Sequence, residues 1–485
     1  MTETANKAAL QGRIDNFLYR QLSEGSAPYT LRNDVPVPTW NRFDLGFKLI
    51  YLDALQSGMT DFADRLYTAH INAFSLGDMA EPGNEKKVGI ERFKSDFTAM
   101  LDDLRENGFD PNQSLAPLAR DGSLLNAGHR AACAVALGIP LTGVETGLEP
   151  KCFDHLFFAK RAMAEDDLDA AALRLVDAMP DVAVALLWPA ARGQDKQVEK
   201  LLGPLVYQKS VPLSLHGGHT LLATAYKDEP WLGDPAENYP GITSKLTACF
   251  NGSDALRVLV VDLPPNVDRI ALKDQIRDLY GIGKSSVHIT DTHAEAVEIS
   301  QLLLNRNGRH FLEYGAPMRF RETRNNIADL QKYMTQNLLS SRDFAVDTGM
   351  VMGLYGLRPP SDIDVISGMD LPEGLIEQHG SQYRSVGPRE VLNDPARHFI
   401  FMGVTFVSLR DVAALKQKRL AGRDREDLLL IEPLLSQTGP AKNGKSISLR
   451  LRFLLLRLRR ALIRFLLQTT IGLPLRRLYR RARGK

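Results

Sequence analysis

Apolar residues recur at helical spacing early in the chain. Phe43, Phe47, Ile50, Tyr51 and Leu55 form one series, and Phe62, Leu66, Ala69 and Ala73 another, the pattern of amphipathic helices. The stretch Glu81–Glu85, which contains Pro82 and Gly83, reads as a loop. A helix is predicted over 95–108, with Phe97, Met100, Leu101 and Leu104 on one side, and a short extended run over 114–119. Val258–Val261 and Val287–Ile289 are strand-like. The run 398–408 reads as one further strand, and Gln437–Pro440 breaks the chain.

These elements predict a multidomain α+β protein. The units are a helical N-terminal region (1–87), an α/β unit (88–148), a mixed α/β central region (150–325), a second α/β unit (326–436) and a basic tail (442–485). No internal repeat is visible.

Composition narrows the class. Of 485 residues, 44% are hydrophobic and 24% charged, which excludes a mainly disordered chain, a collagen and a small disulfide scaffold. The three cysteines, Cys133, Cys152 and Cys249, form no CxxC pair. Their odd number and spacing point to a reducing cytoplasm. No secretory leader is visible at the N-terminus, and no apolar run reaches the roughly 18–20 residues needed to span a bilayer.

Charge is divided unevenly. Residues 442–485 hold 14 Lys/Arg and no acid, which leaves a net of −12 on residues 1–441. An acidic body argues against specific DNA binding. Within 447–467, Leu451, Leu454, Leu455, Leu458, Leu462, Phe465 and Leu466 share one side of a helix, and Arg450, Arg457, Arg460 and Arg464 the other. Such a helix suits the headgroup region of an anionic membrane. Each base contributes on the order of 1 kcal/mol there. The tail, through 447–483, is therefore expected to hold the protein peripherally at the inner face of the membrane. A partner-binding helix and docking on the acidic body are the alternatives.

Two constellations carry chemistry. In the first, Asp121-Gly122 marks a turn, and Gly128-His129-Arg130 stands where a loop enters an alanine-rich helix ending at Gly138. Unpaired N–H groups at a helix start attract anions. Gly128 allows close approach, Arg130 offers a bidentate grip, and His129 a hydrogen bond or a proton. A buried helix start with Arg130 in a structural ion pair is the alternative.

The second constellation runs from Asp347 to Asp364. On a strand, Asp362 and Asp364 project together while Ile363 and Val365 pack beneath. Adjacent carboxylates repel one another without a cation, and Mg²⁺ takes oxygen ligands readily. Thr348 and Gly349 would cradle the phosphates of a nucleoside triphosphate, ahead of a helix over 350–356. Arg358 and Lys416 would offset charge, and Asp347 is the candidate base. In the central region, Lys273, Arg277, Lys284 and His288 are candidates for a phosphorylated substrate. His216 and His219 match no metal spacing.

The run Leu118–Gly138 resembles the ParB/sulfiredoxin-like fold. That resemblance, covering about 92–146, implies that Gly128, His129 and Arg130 face a nucleotide phosphate. His129 stands where sulfiredoxin has its cysteine, and no helix-turn-helix follows. Residues 326–436 resemble the nucleotidyltransferase superfamily, of DNA polymerase β-like fold. Its Gly-Ser turn is Thr348-Gly349 here, its paired acids are Asp362 and Asp364, and no acid stands in 398–408. The stretches Trp188–Lys196, Lys284–Ala296 and Leu302–Leu312 look like a region found ahead of such domains in bacterial surface-polysaccharide gene sets.

Together these resemblances imply Mg²⁺-dependent nucleotidyl or phosphoryl transfer to a sugar, polyol or glycan-linked acceptor. A non-catalytic nucleotide- or glycan-binding scaffold at the membrane is one alternative. A kinase acting through the ParB-like unit is another.

Overall fold

Four strands from two distant segments make the first sheet: Thr4–Ala5, Tyr29–Arg32, Gly143–Glu145 and Ala116–Leu118, in that spatial order. The computed structural model describes residues 3–436 except 24–26, 36, 82–83, 253 and 380–382, together with Leu458 and Leu462. Leu31 and Arg32 lie opposite Val144 and Gly143, so the boundary expected at 87/88 falls inside one sheet. Residues 88–148 supply two of its strands, too few to be stable alone. Ala116 and Leu118 share a core with the helices Asp44–Ser57, Asp61–Ser75, Ile90–Asn107 and Gly128–Leu137. Within Glu81–Glu85, read as a loop, Glu81, Asn84 and Glu85 are instead strand residues, in the antiparallel pair Ala80–Glu81 with Asn84–Val88.

The second sheet orders Val287–Ile289, Val182–Leu187, Leu256–Asp262 and Leu205–Val211, every neighbour antiparallel. The helices Asp195–Leu202 and Arg269–Tyr280 connect its strands as a doubled split βαβ unit. Alternation decides the packing. Val182, Val184 and Leu186 face the main core, while Ala183, Ala185 and Leu187 meet Val198, Leu272 and Ile276 of the two crossover helices.

The third sheet runs Glu377–Gln378, Asp364–Ser367, Phe344–Val346, Val404–Val407, His398–Phe401. Its middle strand is antiparallel to Asp364–Ser367 and parallel to Val404–Val407. The single strand expected over 398–408 is two antiparallel strands. The chain reverses at Met402 and Gly403, both at positive φ, a conformation glycine adopts without a Cβ clash.

One apolar core extends from Val35 to Ile431 through parts of all three sheets. The last unit also reaches back to the first. Glu390 accepts hydrogen bonds from the Asp61 and Phe62 amides at 2.9 and 3.1 Å, at the start of Asp61–Ser75. Among the described residues, no helix is long and apolar enough to cross a membrane. The tail lies outside the described residues except for Leu458 and Leu462, which are helical and exposed.

Candidate active site

The strand Phe344–Val346 is fully buried and delivers the chain to Asp347. Asp347 accepts the Thr348 amide at 2.7 Å and pairs with Arg384, both side chains being buried. Its carboxylate is therefore occupied, and the role of base expected for it is withdrawn. Thr348 has φ +37, a rare conformation for a β-branched residue, and its hydroxyl donates to Asp364 Oδ2. A Cβ on Gly349 would stand 3.4 Å from Asp362 Oδ1 and 3.9 Å from Arg358 Nη1. The helix is Thr348–Leu354, two residues earlier than predicted. Its Gly353 packs so closely that a Cβ would meet Thr323 Oγ1 at 2.6 Å and Pro360 Cδ at 3.0 Å.

Thr348, Gly349, Arg358, Asp362 and Asp364 thus converge from the start of a helix, a loop and the start of a strand. One detail differs. The strand begins at Asp364, and Asp362 sits in the bend before it, so the two carboxylates leave a turn and a strand end, not one continuous face. Asp362 is exposed, and the Asp364 side chain is 16% exposed.

Two further donors join them. Asp364 is in register with Glu377 on the neighbouring parallel strand. His379 Nε2 lies 2.6 Å from Asp364 Oδ1 and 4.0 Å from Glu377 Oε2. One ligand atom each from Asp364, Glu377 and His379 lies within 4.8 Å of the others. Sequence reading missed this pair. Its only signal was the Glu-x-His spacing of two, which shares a strand face, and nothing local tied it to Asp364.

Behind the carboxylates, five charges alternate in sign. Asp427 takes a bidentate grip from Arg358, at 2.7 and 3.0 Å. Lys416 Nζ lies 2.6 Å from Asp427 and 3.2 Å from Asp424, and Arg419 holds Asp424 at 2.8 Å through two nitrogens. The Arg419 hydrogen bond, working against burial, holds the Asp424 carboxyl down to about 2. Burial alone would raise Asp427, but hydrogen bonds from Arg358 and Lys416 keep it below its ordinary value. The Asp427 hydrogen bond raises the Arg358 pKa against burial, and the charges of Asp427, Asp362 and Asp364 add to that. Lys416 is 2% exposed, so it cannot touch a substrate as expected. It is a positioning residue that fixes the acids holding Arg358 and Arg419.

The other predicted residues are placed differently. A Cβ on Gly128 would fall 2.1 Å from Arg42 Nη2, so this glycine makes room for a guanidinium instead of a phosphate. His129 Nε2 is 3.0 Å from the Tyr67 hydroxyl, and its ring stands edge-on to Phe97. Burial, then the charges of Lys48 and Lys87, push its pKa well below the ordinary value. Arg130 is half-buried, its charge offset in part by Glu81.

Among the candidate substrate-binding residues, Lys273 pairs with Asp291 at 2.6 Å, Arg277 with Asp274 at 2.7 Å, and His288 with Glu295 at 2.7 Å. The Lys284 carbonyl accepts from Lys245 Nζ. The side chains of Lys273, Arg277 and His288 are thus spent on local ion pairs, while that of Lys284 is exposed. His216 bonds the Gly315 carbonyl at 2.7 Å. With His219 it lines an apolar cavity of about 320 Å³, without metal-ligand geometry. Compared with protein-family models, curated proteins and solved structures, the chain matches none.

Proposed function

We propose that the Asp362/Asp364 site transfers a nucleotidyl or phosphoryl group from a nucleoside triphosphate to a sugar, polyol or glycan-linked acceptor. The observation that supports it is the convergence of Asp362 and Arg358 at Gly349, 3.4 and 3.9 Å from a Cβ placed there, with Asp362 and Asp364 both acting electrostatically on Arg358. Asp362, Asp364 and Glu377 offer hard oxygen donors that suit Mg²⁺, and the nitrogen of His379 extends the donor set to Mn²⁺ or Zn²⁺. A bound divalent ion would neutralise polyphosphate charge and stabilise an in-line displacement at phosphorus.

The chain's own residues do the rest. Thr348 orients the Asp364 carboxylate. Asp427 fixes Arg358, whose Nη1 donates to the Pro359 carbonyl at 3.3 Å and would offer its second hydrogen, on the Gly349 side, to a phosphate oxygen. The basic tail would keep the protein at the cytoplasmic face of an anionic membrane, where glycan acceptors are assembled.

Calorimetric titration of nucleoside triphosphates with Mg²⁺, followed by product analysis with a sugar acceptor, tests the reading. Saturable binding and release of pyrophosphate or nucleoside diphosphate are expected. Asp362→Asn/Asp364→Asn should lose about a hundredfold or more in affinity or turnover. Binding untouched by that double substitution overturns the proposal. One observation favours a nucleotide-binding scaffold instead: Phe406 is the residue in register with Val346, and no acid stands on Val404–Val407. Saturable binding with no turnover is the result for that reading.

A further inference from the structure

The N-terminal unit holds a buried cluster of charge that no step above uses. Asp44 is fully buried and serves two buried cations. Arg42 grips it at 2.7 Å through both Nε and Nη2, and Lys48 Nζ reaches it at 2.5 Å. Two cations against one carboxylate leave a positive charge uncompensated. Such a surplus is costly away from water.

The cluster lines a cavity of about 90 Å³ shared with His70, Asn126 and His129. Three polar atoms of these buried residues have no hydrogen-bond partner: Arg42 Nη1 and both ring nitrogens of His70, whose side chain is 1% exposed. Native interiors rarely leave such atoms unmet, and their presence points to a missing ligand. Half-exposed Ser75, Ala80, Glu81 and Asn126 mark the mouth. There Glu81 pairs with Lys87 at 3.0 Å, which leaves the surplus unchanged. Burial first, then Lys48, hold His70 well below its ordinary pKa. Burial, opposed by Asp44 and aided by Arg42, brings Lys48 down to about 8.

We propose that this cavity binds a phosphate-sized oxyanion, held by Arg42, Lys48 and His70. At roughly 30 Å³ per water, the space matches one tetrahedral oxyanion. Water alone would satisfy the open nitrogens but not the surplus charge. The glycine that opens the helix Gly128–Leu137 is part of the device. Its missing Cβ lets Arg42 lie against the helix start while also gripping Asp44. The site draws on residues 42, 48 and 70 and is independent of the Asp362/Asp364 proposal.

Calorimetric titration of inorganic phosphate into the full chain tests the inference, with chloride as the control ion. Saturable heat is expected, with the ring-nitrogen signals of His70 and His129 shifting in ¹⁵N-histidine spectra. Lys48→Met and, separately, His70→Phe should weaken binding about tenfold or more, while Asp362→Asn leaves it unchanged. His70→Phe keeps the aromatic contact with Phe47, so it remains informative if Lys48→Met fails to fold. No saturable heat, or binding indifferent to both substitutions, overturns the proposal. A parallel titration separates two sources of the anion. A nucleoside triphosphate that competes with phosphate places a phosphoryl end in the cavity, whereas phosphate binding without competition identifies the free ion.

Discussion

Lys416 and Lys48 are both buried lysines held by aspartates, and they make opposite use of their charge. Lys416 has two carboxylates within 3.2 Å, each shared with an arginine that reaches towards Asp362 or Asp364. Lys48 has one carboxylate, and Arg42 already holds it. The first lysine completes a network. The second is surplus to one, beside a cavity with unpartnered nitrogens. A buried cation is therefore uninformative until its neighbours are counted: balanced, it builds a scaffold, and unbalanced, it marks where an anion belongs.

Removing each lysine gives the sharpest separation. Lys416→Met should lose about 3–5 kcal/mol in urea unfolding, because Asp424 and Asp427 keep their burial and lose a shared counter-charge. Lys48→Met should cost no more than about 1 kcal/mol, since Arg42 still neutralises Asp44. Equal losses would erase the distinction.

The titration of the two sites should raise stability with pH in both cases, but in separate windows and for opposite reasons: ion pairing lowers Asp424, and burial lowers Lys48. Asp424 is held below its ordinary 3.8, at about 2. Its contribution is present above about pH 4 and lost as pH falls through about 2. Lys48 is lowered from 10.5 to about 8. Between those values the unfolded chain holds a proton that the folded chain has released, so stability should rise with pH there. Unfolding free energies of the wild type minus those of Lys48→Met, from pH 7 to 10, isolate this rise. A flat difference contradicts the assignment.

A smaller effect probes the seam between the two regions. Glu390→Gln keeps the shape but removes the carboxylate that accepts the Asp61 and Phe62 amides. The expected cost is about 1 kcal/mol. Removing residues 442–485 should leave melting unchanged while moving the protein from the membrane fraction to the soluble one. Unaltered partitioning would end the membrane reading.

Sequence legibility followed distance along the chain. The helix holding Phe97, the left-handed cap at Gly138 and the meeting of Gly349 with Asp362 were readable because each rests on a local period or a short return. His379 was not, since only sheet register brings it to Asp364. Arg42 and His70 were not either, because nothing in residues 121–138 signals which upstream side chain will occupy the space left at Gly128. Gly128 was rightly seen as a close approach, but to the wrong partner.

The helix Asp61–Ser75 begins under the carboxylate of Glu390 and carries His70 nine residues on, about 14 Å along its axis. It is a rod with one end seated in the last unit and its side held by the first. Cutting the chain near residue 326 to study either half would strip that seat and also disturb the ring beside Asp44.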